Sequence, residues 1–174
     1  KAKGDWSYSY FLNFKTQFDA GLNPDSLDQR ISHFMSPAYL QTGPGMLWKK
    51  SDNLKVNLSP ATARFIFVHD HFTEFGESFG VAQGKTMRFE FGASVNAYYK
   101  FQVMENFTVE NILNLYANYL EDPQNIDVDY QLNVVLKVNK YISTNLTFQA
   151  LYDDNAFKGF QTRHTLGLGL NYLF

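Results

Sequence analysis

Residues Thr86 to Val103 read TMRFEFGASVNAYYKFQV, and this stretch decides the fold class. Apolar and polar side chains alternate along it with a period of two, whereas a helix would mix the two sets on every side. The stretch therefore predicts a β-strand with one apolar face. It also predicts a long strand, because strands in soluble proteins usually have about 5–6 residues. The apolar face consists of Met87, Phe89, Phe91, Ala93, Val95, Ala97, Tyr99 and Phe101.

Seven other segments repeat this alternation, and no segment has the period of a helix. The sequence therefore predicts an all-β protein with eight antiparallel strands. They are Trp6–Phe18, Phe34–Trp48, Leu54–Val68, Thr86–Val103, Phe107–Tyr119, Ile126–Val138, Ile142–Tyr152 and Arg163–Phe174. The second strand contains Pro37 and Pro44, which cannot donate to a β-ladder. The third loses its alternation over residues 65–68, where we expect a bulge or the loss of one face.

Composition narrows the class of protein. The 174 residues suit one domain, residues 1–174, and the net charge of −2 argues against a nucleic-acid partner. The chain has no cysteine, which excludes disulfides and thiolate metal sites. Aromatic residues reach 17%, and a mean hydropathy of −0.30 means that apolar residues are interspersed with polar ones. No apolar run approaches the roughly 18 residues that a membrane helix needs.

The connections between the predicted strands alternate in length. The long ones include Asp19–Ser32 and His69–Lys85, and the short ones include Ser51–Asn53 and Met104–Asn106. Outer-membrane barrels have short periplasmic turns, longer outer loops and aromatic residues near both strand ends. A soluble barrel also alternates, but it does not need such long strands or apolar faces so free of charge. The sequence thus predicts a transmembrane up-and-down β-barrel in a bacterial outer membrane, surrounded by lipid and lipopolysaccharide, with both chain ends periplasmic.

The polar faces of the predicted strands would line the barrel lumen. Eight strands leave an interior that side chains can fill. Paired charges would then plug the lumen, and the protein would act as a scaffold or accessory subunit among other outer-membrane proteins. The alternative is a passive pore or transporter for small solutes. The charged lumen residues are Arg88, Glu90, Lys100, Glu110, Asp127, Asp129, Lys137 and Arg163.

One group of residues at the outer rim could carry chemistry. It comprises His69, Asp70, His71, Asp153 and Asp154. A histidine beside carboxylates can activate water in a surface hydrolase, and the same residues could hold a divalent metal. Loops are also polar for solvation alone, and no catalytic serine motif, phosphate loop or metal motif accompanies the group. We therefore predict no enzyme activity, no catalytic or metal site and no cofactor, with the hydrolase as the third hypothesis.

Several longer stretches carry a family resemblance. They are FLNFKTQF at 11–18, ISHFMSPAY at 31–39, NLSPA at 57–61, NYLEDPQNIDVDYQLNVVLKVNKYI at 118–142 and LGLGLNY at 166–172. Together they resemble an outer-membrane barrel family of the Bacteroidetes, known as domain of unknown function 3078. The resemblance covers nearly the whole chain, and DPQNIDVD is its most specific part. The family has no established activity, so the resemblance implies a fold and no functional residues.

Pattern and resemblance lead to two different expectations about closure. Eight strands can close as a ring that leaves no edge in lipid, with Trp6–Phe18 paired to Arg163–Phe174. Members of the family usually carry about four further β-segments before the position of Lys1. The resemblance therefore implies the C-terminal eight strands of a barrel of about twelve. The opening Lys1-Ala2-Lys3, without an initiator Met or signal peptide, fits a trimmed product.

Overall fold

The computed structural model describes residues 2–23, 26–153, 157–170 and 172. In these ranges most residues lie in β-strands, and almost none lie in a helix. The strands are β1 (Trp6–Thr16), β2 (Gly21–Asn23), β3 (Ser26–Ser32), β4 (Ala38–Ser51), β5 (Leu54–Phe67), β6 (Met87–Met104), β7 (Phe107–Asn118), β8 (Ile126–Lys137), β9 (Ile142–Asp153) and β10 (Phe157–Leu170). A helical turn, α1 (Asp70–Thr73), follows β5. No helix in the described ranges is long and apolar enough to cross a membrane.

The long strands form one antiparallel sheet. Its order is β1-β4-β5-β6-β7-β8-β9-β10, and β2 and β3 pair only with each other in a small hairpin. The prediction of an all-β chain with eight consecutive antiparallel strands is confirmed. At the loop end of the sheet, the strands are joined by residues 17–37, 68–86 and 119–125. At the turn end, they are joined by residues 52–53, 105–106 and 138–141.

Some predicted strand bounds are wrong. The second long strand, β4, begins at Ala38 rather than Phe34, because His33 and Ser36 close a tight turn just before it. The last strand, β10, begins at Phe157, inside the predicted 153–161 loop. Its pairing with β9 shifts register between Phe157 and Gln161, and this irregularity hides the alternation. The β2–β3 hairpin was predicted as loop.

The prediction of a closed eight-strand ring is wrong for this chain. Among the described residues, β1 pairs with β4 and β10 pairs with β9, and neither edge strand has a second neighbour. Alternation could not decide this question, because it reports which face of a strand is apolar and not which edge is paired. The sheet is therefore an open one, with its two edges at β1 and β10.

The open sheet is strongly curled, with its polar face on the concave side. Adjacent strands lie about 4.8 Å apart, so four strand spacings would separate β5 from β9 by about 19 Å in a flat sheet. Instead, Arg64 Nη2 on β5 lies 3.7 Å from Asp153 Oδ2 on β9. Lys15 Nζ on β1 likewise lies 4.0 Å from Asp129 Oδ2 on β8. The polar side chains of distant strands thus meet inside the curl.

Burial in this sheet is inverted relative to a soluble protein. Among the described residues, six apolar residues are buried, against nine polar or charged ones. The convex face is covered with large exposed apolar side chains, of which Leu12 at 68% and Leu168 at 75% are examples. Monomeric soluble proteins rarely expose contiguous apolar surface of this extent. The convex face thus has the composition of a surface that avoids water.

The connection at residues 68–86, here called the cap, packs on the concave face at the loop end. Val68 and Val81 of the cap join Ile66 of β5 in a buried apolar cluster. Half-buried rings pack against that cluster, and they are Tyr39, Phe72 and Phe79. Ile66 lies two residues from Arg64, so it shares the concave face. The cap therefore explains why alternation fails at 65–68: both faces of the strand are apolar because the cap covers one of them.

Candidate functional site

Arg64 is the centre of a polar network on the concave face. Arg64 Nη1 lies 2.6 Å from Asp127 Oδ2, Nε lies 3.3 Å from Glu90 Oε2, and Nη2 lies 3.7 Å from Asp153. Glu90 is opposite Arg64 in the β5–β6 register, whereas the two aspartates come from β8 and β9 across the curl. Arg64 is 9% exposed and Glu90 is 1% exposed, so these charges are largely removed from water. Such charges are tolerated only as mutual partners.

Arg88 joins this network to the loops. Its Nε lies 3.0 Å from Glu90 Oε1, and its Nη2 donates a hydrogen bond to Glu121 Oε2 at 2.7 Å. Its Nη1 donates to the backbone carbonyl of Gly80 in the cap at 2.8 Å. One guanidinium therefore holds β6, the cap and the 119–125 connection in a single arrangement. At the loop end, the cap and the 119–125 connection are thus hydrogen-bonded to the concave face.

A cavity of about 220 Å³ lies beside Arg64 on the concave face. Its lining includes three aspartates, two cations and three tyrosines. The charged residues of the wall are Asp127, Asp129, Asp153, Lys15 and Arg64. Tyr116 is also part of the wall, and its ring lies 4.5 Å from the Arg64 guanidinium carbon. Tyr116 is 6% exposed, and its hydroxyl has no hydrogen-bond partner within the described ranges.

The predicted lumen charges behave differently at the two ends of the sheet. Arg88, Glu90 and Asp127 belong to the loop-end network, and Asp129 lines the cavity. Toward the turn end, Glu110 accepts hydrogen bonds from Tyr98 Oη at 2.7 Å and from Asn133 Nδ2 at 3.1 Å. The remaining predicted residues form no ion pair with any described residue, and they are Lys100, Lys137 and Arg163. The ion pairs of the concave face therefore lie mainly under the cap.

The predicted outer-rim group is only partly assembled. His69 Nδ1 lies 2.7 Å from Asp70 Oδ1, and the backbone amide of His71 donates to that same carboxylate at 2.8 Å. The ring of His33 joins them, with its centroid 5.3 Å from that of His69. Asp153 instead contacts Arg64 in the network, and Asp154 lies outside the described residues. His69 and Asp70 are exposed, so they form no enclosed site in which water could be activated.

A metal site is not evident either. Within the described part of the chain, no group of three histidine, aspartate or glutamate side chains is arranged to hold a metal ion. The exposed His69 and Asp70 are fixed mainly by main-chain hydrogen bonds at the start of α1, where His69 is the N-cap residue. The local role of this pair is thus to begin a helical turn of the cap.

Sequence reasoning missed Arg64, the residue around which the network is built. It lies directly before residues 65–68, where the third predicted strand loses its alternation. One signal was available: Arg64 is the only charged residue between Val56 and Val68. A single arginine in an apolar strand needs buried partners, because an unpaired buried charge is strongly unfavourable. The identity of those partners depended on the curl of the sheet and could not be read locally.

Comparison with known proteins does not suggest a function for the network or the cavity. No family model matches the sequence, and no curated protein or solved structure is similar to it. The role of the network and of the cavity therefore has to be inferred from their own chemistry.

Proposed function

We propose that this protein is a bacterial outer-membrane β-barrel protein whose convex face contacts lipid and whose concave face lines the lumen. The observation that carries the proposal is the inverted burial, with Arg64 and Glu90 inside the curl and side chains such as Leu12 and Leu168 exposed outside it. In water, an apolar sheet face is normally covered by a second layer of structure. Lipid removes that need, because the hydrocarbon core is itself apolar.

In a bilayer, the free edges of β1 and β10 need backbone partners. Each unpaired backbone group in hydrocarbon costs several kcal/mol, so barrels that span a membrane are closed. We include in the proposal that further strands complete the barrel, as the resemblance to the Bacteroidetes family implies. Membership of that family is part of the same proposal, and the motif DPQNIDVD at residues 122–129 is its strongest support.

The role that we propose first is that of a scaffold or accessory subunit in an outer-membrane assembly. The cap and the Arg88 hydrogen bonds obstruct the loop end of the lumen, which argues against free passage of solutes. Reconstitution of the full chain in planar bilayers tests this role. We expect no stable single-channel steps, and stable steps from the native protein would contradict it.

A passive pore for small solutes is the second candidate. It is favoured by the polar lining of the concave face and by the cavity of about 220 Å³. Conduction would require the cap to move away from the loop end. If native protein is silent but a variant with Arg88→Ala conducts, the lumen is a pore that the cap keeps closed. If both are silent, the scaffold proposal is favoured over the pore.

Membrane insertion is tested separately, by cysteine labelling. The chain has no cysteine, so single substitutions give one reactive site each. Asn133→Cys places the thiol on the concave face and Val134→Cys places it on the convex face. In vesicles, a lipid-soluble maleimide should label position 134 and not position 133. Labelling of position 134 by a charged, water-soluble maleimide would contradict insertion, and a reversed pattern would contradict the assignment of faces.

The orientation in the membrane follows from the lengths of the connections. We propose that the loop end faces outward and that the turn end and both chain ends are periplasmic. Protease added to intact cells should then cleave within the connection at residues 17–37 and spare the turn at residues 52–53. Cleavage at the turn alone would reverse the orientation.

A further inference from the structure

The turn end of the concave face carries lysines that the protein's own carboxylates neutralise only in part. We propose that these lysines bind an acidic, extended segment of a partner protein. The partner would belong to the outer-membrane assembly of the proposed function, so the inference rests on that function. The residues concerned, here called the lysine row, are Lys49, Lys55, Lys100 and Lys137.

Three lysines of the row lie on adjacent strands and on the same face of the sheet. Lys100 shares the concave face with Glu90, because an even number of residues separates them along β6. Lys55 lies opposite Tyr98 in the β5–β6 register, and Lys49 lies directly opposite Lys55 in the β4–β5 register. Cross-strand partners point to the same side of a sheet. All three lysines therefore line the lumen side.

The row borders the opening of the curl at the turn end. The backbone amide of Lys100 donates to the carbonyl of Asn53 at 2.8 Å, and that of Lys137 donates to the carbonyl of Asn106 at 2.8 Å. Both lysines are thus level with a turn. Lys137 lies eight residues from Asp129 on β8 and shares its concave face. A segment that approaches the lumen from the turn end would therefore meet the row first.

Most of the row is not neutralised within the described part of the chain. Lys49 Nζ lies 2.6 Å from Asp52 Oδ1, and the other three lysines form no ion pair with any described residue. Lys55 Nζ instead lies 5.4 Å from the centre of the Tyr98 ring. Its ammonium group thus still lacks a carboxylate.

The carboxylate that could pair with Lys100 is engaged elsewhere. Glu110 lies opposite Lys100 in the β6–β7 register. Its Oε1 accepts a hydrogen bond from Tyr98 Oη at 2.7 Å, and its Oε2 accepts one from Asn133 Nδ2 at 3.1 Å. Both carboxylate oxygens are therefore bound by neutral groups, and Lys100 remains available to a ligand.

The charge of the turn end favours an acidic partner. Lys49 and Lys55 lie directly opposite each other, an arrangement in which like charges repel. The described residues of this end carry a formal charge of +3, whereas the whole chain carries −2. An acidic segment would reduce the repulsion. The seven lysines are Lys3, Lys49, Lys50, Lys55, Lys100, Lys137 and Lys140, and the four carboxylates are Asp5, Asp52, Glu105 and Glu110.

The spacing of the lysines fits an extended chain. Side chains directly opposite on neighbouring strands are about 5 Å apart, and diagonal ones are about 7–8 Å apart. Lys55 is directly opposite Lys49 and diagonal to Lys100. In an extended segment, alternate side chains lie on one side and about 7 Å apart. Carboxylates at every second position of the segment can therefore each reach a different lysine.

An anionic lipid is a poorer match, because the row lies on the wrong face. In the proposed function, lipid borders the convex face and the concave face lines the lumen. Lys50 follows Lys49 on β4 and therefore lies on the convex face, where its Nζ is 3.6 Å from Asp5 Oδ2. Lys50 thus offers a matched control, a lysine of the same strand and the same end on the opposite face.

The test is fluorescence anisotropy of a rhodamine-labelled octapeptide of alternating aspartate and serine, titrated with the folded full chain in detergent micelles. The control peptide has asparagine in place of every aspartate. We expect saturable binding of the acidic peptide only. Because exposed charges are screened by salt, the affinity should fall about tenfold between about 0.05 M and about 0.3 M sodium chloride.

Single lysine variants locate the surface. Lys55→Gln and Lys100→Gln should each weaken binding of the acidic peptide about threefold, as expected for the loss of one exposed ion pair. Lys50→Gln removes the same charge from the same end but from the convex face, so it should leave the affinity unchanged. Circular dichroism checks that each variant is folded.

A gain of affinity makes the test independent of stability. Asp52→Asn removes the carboxylate that pairs with Lys49 and should strengthen binding of the acidic peptide about twofold. Destabilisation of the protein would not produce such a gain.

Absence of acidic-peptide binding, equal binding of the asparagine peptide, or equal losses in Lys50→Gln and Lys100→Gln would each overturn the proposal. Weaker binding in Asp52→Asn would do the same. Lysine-dependent binding of mixed micelles that contain phosphatidylglycerol, without binding of the peptide, would assign the row to lipid and not to a protein.

Failure of this inference is distinguishable from failure of the proposed function, because the titration is made without a bilayer. Stable channel steps would contradict the scaffold role, and water-soluble labelling of position 134 would contradict insertion, whatever the peptide does. A silent protein with lipid-soluble labelling of position 134 but no peptide binding would overturn only the acidic partner.

Discussion

The loop end and the turn end of the concave face carry the same alternating polar pattern but use their charges differently. Under the cap, Arg64 and Arg88 share Glu90 as a partner, and that carboxylate is almost fully buried. At the turn end, Lys100 is exposed and Glu110 is bound by neutral groups. The pattern within the strands does not differ, so the connections must account for the contrast. The packed cap excludes water from the loop end, whereas the short turns leave the turn end exposed to water.

The turn at residues 52–53 shows why an exposed ion pair contributes little stability. Lys49 Nζ lies 2.6 Å from Asp52 Oδ1, and this hydrogen bond lowers the pKa of the Asp52 carboxyl. Both side chains are exposed, so water and salt screen the attraction. The exposed pair at this end therefore contributes less stability than the contacts of Arg64 under the cap, although the contact with Asp127 has the same length of 2.6 Å.

The largest expected effect is at Arg64. Arg64→Met should lower the free energy of unfolding by about 3–5 kcal/mol, because it leaves the half-buried Asp127 without its cation and the buried Glu90 with Arg88 alone. Unfolding by urea in detergent, followed by tryptophan fluorescence, measures the change. The two tryptophans, Trp6 and Trp48, face each other in the β1–β4 register and report on the distant turn end.

Lys100→Met on the same concave face is the matched control for Arg64→Met. Lys100 is exposed and forms no ion pair with any described residue, so the change should stay within about 0.5 kcal/mol. Equal losses in the two variants would contradict the contrast between the two ends of the sheet.

The next effect should come from the cap. Val81→Ala removes apolar volume from the fully buried cluster with Ile66 and Val68, and it should cost about 2 kcal/mol. The same urea experiment measures it, and hydrogen exchange of cap amides should become faster. Phe75→Ala is the control within the cap, because Phe75 is exposed and should contribute almost nothing. An equal effect at Phe75 would mean that the cap is not held by this cluster.

A smaller effect should follow Tyr98→Phe at the turn end. It removes the hydrogen bond of 2.7 Å from the tyrosine hydroxyl to Glu110 Oε1 and keeps the ring. Because Glu110 retains its bond from Asn133 and is only half-buried, the loss should be about 1 kcal/mol or less. A loss as large as that of Arg64→Met would show that the turn end is as tightly organised as the loop end.

The smallest effect is expected at Asp52. Asp52→Asn should leave the free energy of unfolding unchanged within error, because the pair with Lys49 is screened by solvent. Measurements at low and high salt check this directly. A clear, salt-dependent loss of stability would mean that charges at the turn end are more strongly coupled than their exposure implies.

The strands and their faces could be predicted well because alternation is a local property. Each residue of a strand points opposite to its neighbours, so Met87 and Phe89 had to share a face whatever the rest of the chain does. The exceptions were also local in origin. The register shift between Phe157 and Gln161 hid the start of β10, and the cap made residues 65–68 apolar on both faces.

The candidate site was predicted only in part, because its residues are far apart in the chain. Glu90 and Asp127 could be assigned to the polar face, but their common partner Arg64 could not be identified. Asp153 was assigned to the rim with His69, whereas it is the last residue of β9 and contacts Arg64 on the concave face. The local pattern predicts the face of the sheet on which a residue lies. It does not predict which residue of a distant strand the curl of the sheet brings into contact with it.

The sequence by itself determined the β-structure, its strand order and the separation of polar from apolar faces, since these follow from the two-residue period of an extended chain and from short connections between neighbours. The tertiary structure decided the curl that places Arg64 against Asp127 and Asp153, the cap over Ile66, and the open edges of β1 and β10. These features depend on contacts between residues that are distant in the chain. Their free energy is set by packing and by the exclusion of water, which no local pattern encodes.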